Sequence, residues 1–251
     1  MAAHEGRLEL TWTNKHKRLL AHEDGRYEWL PPTDYRVAEV RLLHDAGTVG
    51  EVSADDRASD NLLIRGDALN ALTSLIGLPE FARQYVGKVR LAYLDPPFNT
   101  QQSFLQYDDA LEHSVWLTMM RDRLTQVKTL LSPDGSVWVH CDDSEQAYLK
   151  VTMDEVFGRE NFVATVVWQH RYSRSNDAGL SVSHNYLVVY ATDARAWNKS
   201  RNRLPRTSAQ AAQYRNPDND PRGPWRAIPW DAPNIRPNLS YPIQTPTGVV
   251  R

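Results

Sequence analysis

The sequence predicts an α/β fold in which helices cover both faces of one sheet. Between residues 61 and 192, short apolar runs rich in β-branched residues alternate with segments whose apolar side chains recur at helical spacing. The 251 residues are enough for a buried core, and 41% apolar against 24% charged residues is ordinary for a globular domain. Residues 1–60 are polar and irregular, and they are interpreted as an N-terminal extension that packs on this domain.

The predicted elements alternate between strand and helix along this domain. The clearest helix spans residues 114–131, because six apolar side chains fall on one face and Ser114 can cap its start. A turn at 132–135 precedes the next strand, and Ser144 and Gly158 are expected to cap and end the helix after it. The predicted strands cover residues 61–64, 89–94, 136–140, 163–168 and 186–191, and the predicted helices cover residues 68–75, 114–131 and 144–157. After about residue 195 the periodicity fades, and Pro, Asn and Arg indicate loop-rich structure.

Several protein classes are excluded by what the sequence lacks. Cys141 is the single cysteine, so a disulfide scaffold is excluded, a reducing cytoplasm is the expected compartment, and Cys141 itself is interpreted as a small buried residue. No apolar run approaches the roughly 18–20 residues that cross a bilayer, so no membrane partner is expected. The N-terminus shows no basic stretch followed by an apolar one, as a secretory signal would. His140 has no metal-ligand spacing around it, and no metal site is predicted.

Charge is distributed unevenly, although the net charge is only −2. Residues 168–251, called the basic segment below, hold 12 Lys and Arg against 5 acidic residues, whereas the preceding residues carry a surplus of nine negative charges. Four of the 8 Trp and five of the 11 Tyr lie among these basic side chains, a mixture that suits phosphate contacts and stacking on bases. A polyanion partner is one interpretation of the pattern, and a solvated, aromatic-rich loop layer is the other.

The most informative motif is Asp95-Pro96-Pro97-Phe98-Asn99-Thr100, which directly follows the predicted strand 89–94. Ligands of open α/β sheets bind at the carboxyl ends of the strands, so this loop is placed for function. Consecutive prolines fix φ and remove two backbone donors, so the loop is stiff and presents carbonyl groups that nothing inside it can satisfy. The structural alternative is a proline turn that only ends the strand.

A carboxylate, a carbonyl group and an aromatic face form a set that can hold a planar amine. Asp95 and the Pro96 carbonyl can each accept a hydrogen bond from one NH₂ group, and Phe98 can stack on the ring that carries it. An exocyclic aromatic amine is a poor nucleophile because its lone pair is delocalised into the ring. Two acceptors that draw the amine out of conjugation localise that lone pair and stabilise the positive charge that develops during alkyl transfer.

The ordered set of motifs resembles the β-class, or permuted, amino-group DNA methyltransferases, especially the modification subunits of type III restriction systems. Their motif Asp-Pro-Pro-Tyr-Asn-Thr is matched from Asp95 to Thr100, with Phe98 in place of Tyr. Further segments that look like the family are residues 61–69, 113–131, 134–143, 157–162 and 183–187. The resemblance implies a Rossmann-like methyltransferase fold with circularly permuted motif order, of which this chain holds an incomplete sheet and a loop-rich, basic C-terminal region.

The resemblance also implies a reaction and a role for each residue of the motif. The reaction is transfer of a methyl group from S-adenosylmethionine to N6 of adenine in DNA, after the base has been flipped out of the duplex. Asp95 and the Pro96 carbonyl would hold the amine, Pro97 would fix the geometry, and Phe98 would stack on the adenine. Phe in place of Tyr keeps the stacking ring and loses a hydroxyl group.

The cofactor site is the least complete part of the resemblance. Gly66 and Asp67 correspond to a family segment near the cofactor adenine, although Asp67 can equally cap the helix that begins at Ala68. The family's Phe-x-Gly-x-Gly turn has no counterpart, because the chain contains no Gly-x-Gly. In the permuted order that turn follows target recognition, so it is expected downstream of Arg251. The chain is therefore expected to be a fragment, a truncated product or half of a split enzyme.

The predicted organisation has three parts: an N-terminal extension (1–60), the catalytic half of a methyltransferase domain (61–192) and the start of a target-recognition region (193–251). The expected partner is double-stranded DNA, with a homodimer or a restriction subunit as further partners. Two alternatives stay open. The chain is a DNA-binding fragment without activity, or it methylates amines of RNA or protein.

Overall fold

The computed structural model describes residues 9–22, 25–51, 60–99, 103–104, 107–108, 112–170, 181–228, 237, 241–246 and 248–250. It separates into two compact units, Met1–Arg201 and Asn202–Arg251. The predicted division at residues 60 and 192 stays a prediction. Within the described ranges no helix is long and apolar enough to cross a membrane, and no group of three or more His, Cys, Asp or Glu side chains could hold a metal ion.

Strands and helices alternate in the first unit, which confirms the predicted α/β class. In chain order its elements are β1 (Arg18–Ala21), β2 (Tyr27–Leu30), α1 (Tyr35–Ala38), α2 (Ala68–Gly77), α3 (Pro79–Tyr85), β3 (Val89–Leu94), β4 (Ser103–Phe104), β5 (Tyr107–Asp108), α4 (His113–Leu130), β6 (Leu131–Cys141), α5 (Gln146–Phe157), β7 (Phe162–Gln169), β8 (His184–Ala191) and α6 (Ala194–Ser200). A short 3-10 turn at Arg159–Asn161 joins α5 to β7.

The central sheet has four strands in the order β3-β6-β8-β7. β3 and β6 are parallel, whereas β8 is antiparallel to both of its neighbours. Parallel strands need a crossover connection, and α4 lies in the one that joins β3 to β6. The carboxyl ends of β3 and β6 therefore lie side by side, at the point where the chain leaves the sheet through Asp95.

α4 and α5 cover one face of this sheet and form the core with it. The apolar face predicted for α4 is buried, with Trp116 and Leu124 both 0% exposed, and it packs in one cluster with Val137 of β6. On β3, in contrast, Leu91 and Tyr93 are 57% and 55% exposed. The prediction that helices cover both faces of the sheet is therefore wrong for β3, because no described helix packs over Leu91 and Tyr93.

Two predicted helix caps are wrong. Glu112 caps α4, because its side chain accepts a hydrogen bond from the backbone N–H of Ser114, and Ser114 lies buried inside the helix. α5 begins at Gln146 without a side-chain cap, and Ser144 instead donates its backbone N–H to Asp142 in the preceding turn. In both places an acidic side chain two residues earlier satisfies the donor.

The predicted strand at residues 61–64 is also wrong. These residues form no strand, and Leu63 is 94% exposed. An apolar run makes a strand only where another strand pairs with it, and no strand among the described residues does so here.

The predicted turn at 132–135 lies inside β6 as a bulge. From one register position to the next, β3 advances from Val89 to Leu91 while β6 advances from Leu131 to Ser136. Gly135 is required there, because a Cβ at this position would lie 2.8 Å from the carbonyl oxygen of Val89.

Trp12 ties the N-terminal segment to the core. It is 9% exposed, packs in the core cluster, and donates its indole N–H to the Thr118 hydroxyl at 2.7 Å. Arg121 of α4 donates to the Lys15 and Lys17 carbonyl oxygens, the latter at 2.8 Å. These contacts hold the turn before β1 against α4.

The described part of the second unit consists mainly of loops. Its elements are α7 (Ser208–Ala211) and the hairpin of β9 (Ile243–Thr245) and β10 (Gly248–Val250), and an isolated bridge pairs Arg215 with Trp225. The prediction of loop-rich structure after residue 195 is confirmed here, whereas α6, capped by Asp193, extends helical structure to Ser200.

Candidate active site

The predicted catalytic motif lies where expected, at the carboxyl end of β3. Residues 95–99, called the acceptor loop below, leave the sheet beside the carboxyl end of β6. The Asp95 side chain is 65% exposed. Among the described residues no hydrogen-bond donor reaches the Pro96 carbonyl oxygen, and Pro96 itself is half-buried.

The acceptor loop is held from behind at two points. Trp116, which is fully buried on α4, donates its indole N–H to the Pro97 carbonyl oxygen at 2.7 Å. Asn99 is 5% exposed and donates its side-chain amide to a Glu145 carboxylate oxygen at 2.6 Å. Asn99 also has φ of 61°, a left-handed conformation that Asn tolerates better than most residues. The two prolines and these two bonds leave the loop little freedom.

Glu145 is a buried carboxylate that sequence reasoning missed. It is 2% exposed, and its Oε1 accepts hydrogen bonds from Asn99 and, at 2.9 Å, from Nδ1 of His113. Within the described ranges its other oxygen has no hydrogen-bond partner. Burial of a carboxylate is unfavourable unless it is hydrogen-bonded, so these two bonds carry much of its stabilisation. Its position four residues after the end of β6 is a signal that could have indicated a role at this end of the sheet.

His140, the second residue that was missed, lies directly beside the motif. Its Nδ1 is 3.4 Å from Oδ1 of Asp95, and its ring meets the Phe98 ring edge-on with the centroids 4.9 Å apart. Tyr93 also contacts His140, and the pKa of the Tyr93 phenol is raised by partial burial and by the nearby Asp95 carboxylate. The Tyr93 hydroxyl therefore stays protonated at neutral pH.

The predicted cofactor residues lie at the start of α2. Asp67 caps this helix by accepting hydrogen bonds from the backbone N–H groups of Leu69 and Asn70, which confirms its alternative role. Its other carboxylate oxygen pairs with Arg123 at 2.6 Å. A cofactor would have to share one of these engaged oxygens, so Gly66 and Asp67 do not by themselves fit S-adenosylmethionine. Their contact with a cofactor stays a prediction.

The comparison with known proteins covers both the sheet and the basic segment. A family profile described as DNA methylase matches residues 89–251. The chain belongs to the DNA methylase family. This match begins at β3, and it therefore includes the acceptor loop and the paired strands β3 and β6 at whose carboxyl ends the loop lies.

Three relatives of this DNA methylase chain are modification (Mod) subunits of type III restriction-modification enzymes. The probable HindVI subunit of Haemophilus influenzae is 48% identical over 120 residues, which are 47% of this chain and 15% of that protein. The StyLTI subunit of Salmonella typhimurium is 31% identical over 234 residues, 78% of this chain and 34% of that protein. The EcoP15I subunit of Escherichia coli is 28% identical over 212 residues, which are 72% of this chain and 30% of that protein. The methylase chain thus spans about a third or less of their length.

In the DNA methylase chain the thiol of Cys141 is not available for chemistry. The residue is fully buried at the end of β6, as predicted, and burial raises its pKa to about 12, helped by the negative charge of Asp142 and Asp143. A thiol with so high a pKa is neutral at physiological pH and is a poor nucleophile.

In the basic segment, two arginine side chains lie over one aromatic ring. The Arg206 guanidinium lies 4.1 Å from the Tyr214 ring centroid, and Arg226 lies 5.9 Å from the same ring. Trp225 is 43% exposed and donates its indole N–H to Asp218. Other members of the predicted set lie outside the described residues, namely Arg171, Tyr172, Arg174, Trp230, Arg236 and Arg251.

Proposed function

We propose that this chain carries the amine-binding part of a DNA methyltransferase that transfers a methyl group from S-adenosylmethionine to N6 of adenine. The observation that carries the proposal is the acceptor loop, which has an exposed Asp95 carboxylate and a Pro96 carbonyl that no described residue hydrogen-bonds, at the carboxyl end of β3. Membership of the DNA methylase family and the names of the Mod subunits support methylation as the reaction.

The acceptor loop would act on the amine through geometry and charge. Asp95 and the Pro96 carbonyl each accept one N–H of the NH₂ group, and this orientation turns the nitrogen lone pair out of the plane of the base. The Asp95 carboxylate also stabilises the positive charge that grows on the nitrogen as the new C–N bond forms. Because the loop is clamped by Trp116 and Asn99, little reorganisation is needed when the amine arrives.

Phe98 would select a flat ring. Base pairing hides N6 of adenine inside a duplex, so an enzyme that methylates it extrudes the base into a pocket. Phe98 is partly buried at the base of the loop and can offer its face to the extruded ring. S-adenosylmethionine supplies the methyl group when it is bound, and the described residues act only on the acceptor side.

We further propose double-stranded DNA as the partner of the basic segment, with a restriction subunit or a second copy as further partners of the whole protein. Arg203 and Arg206 are exposed, and such side chains can neutralise phosphates without desolvating a buried charge. Three relatives are named as modification subunits of type III restriction-modification enzymes, and these names support a restriction partner.

A DNA-binding fragment without activity is the second candidate. The observation that favours it is the engagement of both Asp67 oxygens in a cap and an ion pair, which leaves the predicted cofactor residue committed within the chain. In this case the acceptor loop would bind an extruded adenine without modifying it.

The decisive experiment is methylation of unmodified genomic DNA. Whole-genome-amplified bacterial DNA lacks methylation and contains every short recognition sequence, so it serves without knowledge of the target. The chain, and the longest open reading frame that contains it, are incubated with this DNA and labelled S-adenosylmethionine, and the nucleosides are identified by mass spectrometry. We expect N6-methyl-2′-deoxyadenosine with the wild type and none with Asp95→Asn.

Glu80→Gln is the matched control, because it also removes one exposed carboxylate but lies in the first turn of α3. Full activity of Asp95→Asn would contradict the proposal, and so would a methylated base other than N6-methyladenine. The second candidate would be favoured if both the chain and the longer open reading frame bind DNA in a salt-dependent way and neither yields a methylated product.

A further inference from the structure

His140 occupies a position that the strand register assigns to the neighbourhood of the acceptor loop. Leu94 of β3 pairs with Val139 of β6 in parallel register, so the next residues along, Asp95 and His140, emerge side by side. On the other flank β6 pairs with β8, where His140 lies opposite Leu187 and diagonal to Asn185. The side chains of Asp95, His140 and Asn185 thus meet across three strands.

Both ring nitrogens of His140 have partners. Nε2 lies 3.1 Å from the side-chain amide nitrogen of Asn185. Nδ1 lies 3.2 Å from the Tyr93 hydroxyl oxygen and 3.4 Å from Oδ1 of Asp95. The imidazole is only 18% exposed, so most of its surface contacts protein.

The partner on Nε2 decides which nitrogen of the neutral ring carries the hydrogen. The Asn185 amide nitrogen can only donate, so Nε2 must accept, and the hydrogen of the neutral imidazole is then on Nδ1. From there it points to the Tyr93 hydroxyl, and Oδ1 of Asp95 lies 3.4 Å from the same nitrogen. Asn185 therefore acts on Asp95 through the histidine, in the manner of residues that orient a catalytic group from one layer away.

The same ring also supports the aromatic member of the acceptor loop. The Phe98 and His140 planes meet at 69° with the centroids 4.9 Å apart, an edge-to-face geometry that aromatic pairs favour. One side chain thus contacts two of the four predicted catalytic residues.

We infer that His140 is a positioning residue that sets the rotamer of Asp95 and the plane of Phe98, and that Asn185 and Tyr93 hold it in place. This inference rests on the proposed function. The imidazole nitrogen 3.4 Å from Oδ1 orients the carboxylate from one side, and it leaves Oδ2 to accept the amine. His140 touches neither the amine nor the methyl group, so its effect falls on the rate of transfer and not on the binding of substrate.

Substitutions that each keep one half of the imidazole separate this role from a general structural one. In His140→Asn the amide nitrogen takes the place of Nδ1 and can still donate to Asp95, whereas in His140→Gln it takes the place of Nε2 and reaches toward Asn185. His140→Ala keeps neither. The readouts are kcat and KM in the genomic-DNA assay, measured with the same protein form as the wild type, and circular dichroism melting of each variant.

We expect kcat to fall by about 10- to 100-fold in His140→Ala, the range that a displaced catalytic group produces, while KM for S-adenosylmethionine changes less than about threefold. His140→Asn should recover most of the lost kcat, and His140→Gln should resemble His140→Ala. Equal kcat for the Asn and Gln variants, or a loss confined to KM, would overturn the inference while leaving the proposed function intact. Inactive wild type would overturn both.

A measurement independent of turnover tests the contact itself. Two-bond ¹H–¹⁵N spectra of the imidazole rings show which nitrogen carries the hydrogen. We expect the Nδ1–H form for His140 in the wild type and in Glu80→Gln, and loss of this preference in Asn185→Ala. An Nε2–H form in the wild type would refute the arrangement.

Discussion

Replacing Trp116 with Phe would remove the indole N–H that holds the acceptor loop from behind. This N–H donates to the Pro97 carbonyl oxygen at 2.7 Å, and Trp116 is 0% exposed. The half-buried Pro97 carbonyl would lose this donor. The smaller ring would also leave a void between α4 and the loop.

The magnitude follows from these two effects. Loss of the donor to a half-buried acceptor costs about 1–2 kcal/mol, the lower part of the range for a buried one. Large-to-small substitution of a fully buried ring adds about 1–2 kcal/mol for the lost contacts and the void. We therefore expect the free energy of unfolding of Trp116→Phe to fall by about 3 kcal/mol, a large fraction of the roughly 5–15 kcal/mol that stabilises a domain.

Urea denaturation followed by circular dichroism measures this loss. With an m-value near the upper end of about 1–3 kcal/mol/M, the midpoint should fall by about 1 M. Trp138→Phe is the matched control, because that indole is partly exposed and donates to the neighbouring Ser136 hydroxyl on the same strand. Equal midpoints for the two variants, or a fall of less than about 0.3 M in Trp116→Phe, would refute the clamp.

Three further predictions concern single positions around the sheet. Asn99→Ala should be less stable than Asn99→Gly by about 1 kcal/mol in the same denaturation assay, because both lose the bond to Glu145 but only Ala is strained at φ of 61°; equal stabilities would contradict the left-handed conformation. Gly135→Ala should lower the melting temperature, since its Cβ would lie 2.8 Å from the Val89 carbonyl oxygen and force the backbone to move, at a cost of about 1–3 kcal/mol in the free energy of unfolding; an unchanged melting curve would show that the bulge can open. Cys141 should react with a thiol reagent only in denaturant. Because burial raises its pKa from 9.0 to about 12, its contribution to stability is present below pH 9 and is lost as the pH rises toward 12; rapid labelling of the native protein at pH 8 would refute its burial.

Local signals explain what the sequence predicted well. β3 and α4 were predicted within one residue of their observed bounds, because each has an uninterrupted apolar pattern and a clear stop signal. The same signals placed Asp95 to Phe98 at the end of a strand, and strand ends in α/β sheets carry function. The caps at Ser114 and Ser144 were wrong because several neighbouring side chains can satisfy one backbone donor, and local sequence does not rank them.

The sequence by itself determined the α/β class, the place of the acceptor loop and the chemistry of its residues, since all three depend on short-range patterns and residue type. Only the tertiary structure decided what holds the loop. Trp116 and Pro97 are 19 residues apart in sequence, and Asn99 and Glu145 are 46 apart. His140 reaches Asp95 only because β3 and β6 are adjacent and parallel in one register. Strand order and register arise from packing across the whole sheet, and no local pattern in the sequence records them.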